Sequence, residues 1–169
     1  NAALENYKIS GNIRELLERI QDISLYPSLR HLTSILFYSL MGRDYRVALY
    51  SNLVYLFILL LFTYKLISLI FSKDVGILAC FIISFLPGVF GFSRLYMLDF
   101  AVLSLIPLAL VFLYKTNFFT HKFYSFILGF ILALGYLHKQ TFMIFMLPFL
   151  VYVSFAAIIK HKNCLLLHI

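Results

Sequence analysis

Residues 47–64 read VALYSNLVYLFILLLFTY, eighteen positions without a charge, closed by Lys65. A helix needs roughly 17–25 mostly apolar residues to cross the hydrocarbon core of a bilayer. This stretch therefore predicts a transmembrane helix, and it sets the scale for reading the rest. Four more charge-free runs follow, at 75–93, 100–114, 123–137 and 140–159. The third and fourth of the five runs are short. Lys115, Lys122 and Lys139 border them and extend them by snorkelling to the interface. The pattern predicts an all-α, polytopic membrane protein with about five transmembrane helices. Pro87, Pro107 and Pro148 fall inside the runs and predict kinks. Pro87-Gly88 with Gly91 is placed to open the second one.

The whole composition agrees. Of 169 residues, 63% are hydrophobic and only 12% are charged, where a soluble domain carries about a quarter. Disorder is excluded by the same numbers. Two cysteines, Cys80 and Cys164, exclude a disulfide scaffold. The net charge of +7 raises nucleic acid as a partner, but it has to be located along the chain before it carries meaning.

Residues 1–46 differ from the rest and predict a separate extracytoplasmic segment with juxtamembrane helices. Arg14, Glu15, Glu18, Arg19 and Asp22 surround Ile13, Leu16, Leu17 and Ile20, the pattern of a water-exposed amphipathic helix. Residues 29–41 are apolar but too short to cross. Leu29, Leu32, Leu36 and Leu40 share one face after Pro27, which suits a first helical turn. This predicts an amphipathic helix lying in the interface, with a short buried helix as the alternative. The chain opens at Asn1 without a signal-peptide pattern, and residues 164–169 turn apolar again. Both ends predict a fragment of a longer protein.

Orientation follows from basic residues in the short loops. One side holds Lys65, Lys73, Lys115, Lys122, Lys160 and Lys162; the short loops of the other hold Arg94 and Lys139. The excess predicts that the lysine-rich side is cytoplasmic. Residues 1–46, Arg94 and Lys139 then lie on the extracytoplasmic or lumenal side of a plasma, inner or ER membrane. The six basic residues of 1–46 lie among five acids, so no nucleic-acid surface is expected.

Asp99 is the sole acid after Asp74. A carboxylate near membrane depth is a functional candidate by default; its plain alternative is a pair with Arg94 or a cap on the third span. Lys139, in the short turn His138-Lys139-Gln140, is a point charge suited to a phosphate, or else an interfacial anchor. The same side collects Tyr26 and Pro27. A carboxylate and a basic turn at the lipid–water boundary suit a substrate with a phosphate head and a lipid tail. His31 reads as a surface residue. The five histidines form no metal-ligand cluster. Neither a phosphate-binding glycine loop nor a serine-hydrolase elbow is present.

Three stretches, in order, resemble the polyprenyl-phosphate-sugar glycosyltransferases of the GT-C superfamily, in particular the protein O-mannosyltransferase and lipid A aminoarabinose transferase group. Leu25-Tyr26-Pro27-Ser28-Leu29-Arg30-His31-Leu32 looks like the family's Tyr-Pro-Pro-Leu segment. Pro87-Gly88 through Ser93-Arg94-Leu95-Tyr96-Met97-Leu98-Asp99 is similar to its second outer loop. Leu137-His138-Lys139-Gln140-Thr141-Phe142 is similar to its Thr-Lys-Gly or Thr-Lys-Gln turn. Ser28 stands where a second proline is common, and His138 where threonine is. The resemblance implies an inverting transfer of sugar from a polyprenyl phosphate to an acceptor on the outer face. It makes Asp99 the acid of the second outer loop and Lys139 a ligand of the lipid phosphate. Arg94 becomes a charge partner, with Tyr26, His138 and Gln140 among the substrate-binding residues. It places the principal catalytic acid before Asn1 and leaves a divalent cation, magnesium or manganese, open as cofactor. A transporter segment and a non-catalytic membrane scaffold are the competing classes. The spans lack the buried charge pair a transport path would need.

Overall fold

The computed structural model describes residues 33–35, 37–39, 42 and 45–166. Among them no strand occurs. Residues 33–35 and 37–39 are helical, in agreement with the apolar segment expected there; the amphipathic helix expected before it, with Tyr26, lies outside the described residues. Six helices follow: α1 (Tyr45–Ile70), α2 (Lys73–Phe85), α3 (Pro87–Ser93), α4 (Leu98–Lys115), α5 (Lys122–His138) and α6 (Thr141–Leu166).

Each expected span has a helical counterpart. α1, α4 and α6 contain stretches long and apolar enough to cross a membrane: Leu49–Ile70, Leu98–Lys115 and Thr141–Lys160. The second expected span is broken. Its two pieces, α2 and α3, meet at an angle of 65°, so they form either one bent span or a re-entrant loop. The cause is Pro87. Proline cannot donate to the preceding turn and pushes its predecessor out of the helical region, and Leu86 is accordingly extended, at φ −61° and ψ 125°. Pro107 and Pro148, by contrast, sit within helices α4 and α6. The fourth run forms α5, an apolar helix of 17 residues, at the lower limit for a crossing.

The helices alternate in direction. α1 packs mainly on α2 and α4, and α4 packs in turn on α5. Half of α4 is buried inside the bundle, against 17% of the α1 span and 11% of the α6 span, so α4 is the central helix. Its Val102, Leu105, Ala109 and Leu113 meet Leu128 and Ile131 of α5 and Phe142 and Met146 of α6. Its Phe100 and Ala101 meet Tyr55 and Leu59 of α1 and Val89 of α3. The remaining apolar faces, such as Phe81 and Phe85 on α2 or Tyr152 and Phe155 on α6, are exposed, as lipid-facing residues must be.

Two close approaches fix the hairpins. A Cβ at Gly76 would collide with the Ser68 hydroxyl, and it would lie 3.0 Å from the Tyr64 ring; the glycine therefore lets α2 lie against α1. A Cβ at Gly135 would strike the ring of Phe142. Phe142 is fully buried, and its ring occupies the space the missing side chain leaves on α5. That contact folds α6 back immediately after the His138–Gln140 turn. At the opposite end, α4 and α5 are joined by a turn in which Asn117, Phe118 and Phe119 all have positive φ, at 45°, 58° and 62°. Thr116 ties this turn together: its carbonyl accepts from the His121 amide at 3.2 Å and its hydroxyl from the Phe119 amide at 3.4 Å.

Candidate functional site

The alternation of helices brings the α3–α4 loop and the α5–α6 turn to one end of the bundle. There Lys139 Nζ meets Asp99 Oδ1 at 2.5 Å. Asp99 lies in the first turn of α4, where the helix dipole favours a carboxylate. Lys139 closes α5: its backbone amide donates to the Gly135 carbonyl at 3.1 Å, and its own carbonyl accepts from Phe142 at 3.0 Å. The two side chains are unequally placed. Asp99 is 54% exposed, whereas Lys139 is 21% exposed. The lysine is the inner partner and the carboxylate faces outward.

The pair is weak enough to exchange. Ion pairs with this degree of exposure contribute about 0.2–1 kcal/mol. A phosphate oxygen offers the ammonium a comparable or stronger charge-assisted bond, so an arriving phosphate can take Lys139 without a large penalty and release the Asp99 carboxylate.

Arg94 is not where the sequence suggested. It carries the exposed end of α3 and lies over the Phe90 ring at 4.1 Å; the partner of Asp99 is Lys139. Nor is Asp99 the cap of α4, since Met97 holds that position without a side-chain bond. His138 is also placed differently from the expectation of substrate contact. It is 3% exposed. Its Nε2 lies 2.8 Å from the Tyr55 hydroxyl, and its Nδ1 lies 3.1 Å from the Leu134 carbonyl. Gln140 is exposed at the start of α6.

The structure adds hydrogen bonds that the sequence did not single out, two of them from a residue inside an apolar run. Asn52 of α1 donates through Nδ2 to the carbonyls of Ser93, at 2.8 Å, and Leu95, at 3.0 Å. Tyr96 of the same loop bonds the Ser34 hydroxyl at 2.8 Å, and Thr33 approaches the Tyr55 hydroxyl at 3.3 Å. The one available signal was energetic: an amide in a membrane span is costly unless its hydrogen bonds are made. Among the described residues no group of three or more His, Cys, Asp or Glu side chains is placed to hold a metal ion.

The family model described as dolichyl-phosphate-mannose-protein mannosyltransferase matches residues 27–168. The chain belongs to that family. The match covers most of the chain and includes both the Arg94–Asp99 loop and the Lys139 turn. Tyr26 falls just before it. No curated protein and no solved structure matches. Membership in the mannosyltransferase family gives the general class: a membrane glycosyltransferase that draws on a polyprenyl-phosphate-linked sugar. It also removes the transporter and scaffold classes from first place, and it agrees with an all-helical membrane chain.

Proposed function

We propose that the Asp99 end of this bundle binds the phosphate of a polyprenyl-phosphate sugar on the extracytoplasmic or lumenal side, for transfer to an acceptor hydroxyl. The observation that carries this reading is the Lys139–Asp99 pair: the one acid of the later spans and a partly withdrawn lysine, joined at one end of an apolar bundle. Lys139 takes the phosphate. Arg94 and Gln140, both exposed at the same end, supply further polar contacts to the head group, and Tyr26 remains a candidate from the sequence. The family description makes dolichyl-phosphate-mannose the first donor to assay.

The chemistry is a single displacement. A carboxylate accepts the proton of the acceptor hydroxyl. The hydroxyl oxygen forms a bond to the anomeric carbon as the bond from that carbon to the phosphate oxygen breaks. The electron pair leaves with the polyprenyl phosphate, whose charge the lysine stabilises, and the anomeric centre inverts. Asp99, freed when the phosphate takes Lys139, is the carboxylate this chain contributes at that point.

The test uses membranes carrying the intact protein and a labelled dolichyl-phosphate-mannose. Asp99→Asn and Lys139→Ala are each expected to lower transfer about 100-fold, the scale of losing one general base or one charge-stabilising group. Membrane content of the protein should stay unchanged. Wild-type transfer in both variants overturns the assignment.

A further inference from the structure

Asp99 and Lys139 are forty residues apart in the chain, one just after the α3–α4 loop and the other in the α5–α6 turn. Both loops are nevertheless tied to one turn of α1. Asn52 and Tyr55 are three residues apart and so lie on one helical face. Asn52 is 1% exposed, and its amide donates to the Ser93 and Leu95 carbonyls, six and four residues before Asp99. Tyr55 is buried and its hydroxyl meets His138, the residue before Lys139. The two rings also stack edge to face, with centroids 5.6 Å apart.

The direction of the Tyr55–His138 bond follows from the other ring nitrogen. A carbonyl only accepts, so His138 Nδ1, facing Leu134 O, carries the proton. In the neutral imidazole Nε2 is then the acceptor and the tyrosine donates. His138 is thereby fixed in rotation by two bonds on opposite sides of its ring, and the backbone that leads into Lys139 is fixed with it.

We propose that Asn52 and Tyr55 form a positioning element: one turn of α1 sets the separation of Asp99 and Lys139, with His138 as the link on the lysine side. None of the three touches substrate; they act through the carboxylate and the lysine. The significance of that separation for transfer rests on the reading of Asp99 and Lys139 as the donor site, where a misplacement of about 1 Å can cost about 100-fold. Isolated polar residues on a membrane span are retained where their bonds are made. Here the Asn52 amide and the Tyr55 hydroxyl each reach one of the two loops that carry the charged pair.

Two measurements test this in the intact protein in its membrane. The first is independent of activity. Asp99→Cys with Lys139→Cys, in a background with Cys80 and Cys164 replaced by serine, is treated with a short bis-maleimide. Cross-linking is expected to fall several-fold when Tyr55→Phe or Asn52→Leu is added. Tyr55→Phe keeps the ring and removes only the donor, so it reports on the bond even where Asn52→Leu lowers expression. Undiminished cross-linking with Tyr55→Phe overturns the proposal. The second is transfer. Tyr55→Phe is expected to lower it about 10-fold in the wild-type background and to add nothing in Lys139→Ala, since the hydroxyl acts through that lysine. His138→Gln, which keeps an acceptor, should retain more transfer than His138→Leu. A multiplicative loss in the Lys139→Ala background overturns the positioning role. Reduced cross-linking together with full transfer in Lys139→Ala upholds the positioning and refutes the donor-site reading, so the two failures are separable.

Discussion

The two ends of this bundle carry charge in opposite ways. At one end Lys65, Lys73, Lys115, Lys122 and Lys160 are all exposed. Three of them lie over aromatic rings: Lys65 over Phe62, Lys115 over Tyr124 and Lys160 over Phe118. Among the described residues none of these five makes an ion pair. At the other end a single lysine is drawn in, paired with the one carboxylate of the later spans, and braced by a buried tyrosine, histidine and asparagine. Number of charges does not mark the site. What distinguishes the proposed site is the set of buried polar groups hydrogen-bonded beside its one charged pair. The lysine-rich end needs only to stay at the water interface, which long flexible side chains do without support.

That contrast can be broken most directly by topology. Asp99→Cys and His121→Cys, each in the cysteine-replaced background, should label with an impermeant maleimide from opposite sides of the membrane, all or none; labelling from one side would place both ends together and end the comparison. The next largest effect is on transfer. Lys139→Ala should cost about 100-fold, while Lys65→Ala, Lys115→Ala or Lys160→Ala should change transfer less than about fivefold, because an exposed charge contributes about 1 kcal/mol or less. Equal losses at both ends would show that net charge, and not the braced lysine, governs donor binding.

Packing gives a smaller, graded effect. Gly135→Ala forces the Phe142 ring out of a position it fills completely and should destabilise by about 1–3 kcal/mol, read as a lower thermal midpoint in detergent, with transfer falling because the Lys139 turn moves. Gly129→Ala, on the same helix, meets nothing within 4 Å and should be neutral. The smallest effect is expected in the opposite turn. Phe119 has φ 62°, a conformation that costs a side chain about 1 kcal/mol or more, so Phe119→Gly should raise the midpoint slightly and leave transfer unchanged.

Much of the helical plan was legible because membrane insertion writes it plainly: charge-free runs of near-span length, with lysines at their borders. The break in the second run was legible too, at Pro87-Gly88, although its 65° angle was not. Asp99 and Lys139 stood out as charges next to apolar runs, and each could be suspected separately. Their pairing was not legible. The sequence offered Arg94, five residues from Asp99, but Arg94 closes one helix and Asp99 opens the next, and proximity along the chain is then a poor guide. His138 looked like part of an outer turn and proved to be internal, since nothing local tells which way a side chain at a helix end will face. The residues 1–32, which carry Tyr26 and the expected amphipathic helix, lie outside the described structure, so their part in the site rests on sequence alone.

The sequence by itself determined the all-helical membrane character, the approximate places of the helices and the family, because each depends on local composition or on short motifs in order. The tertiary structure alone decided that Lys139, and not Arg94, meets Asp99, and that Asn52 and Tyr55 of a distant helix bond residues that lead into each. The physical reason is that a hydrogen bond or ion pair between helices depends on how they are rotated and how closely they approach. Here those are set by glycines that admit contact, at Gly76 and Gly135, and by rings that fill the space, at Phe142. Such fits exist only once the helices are packed.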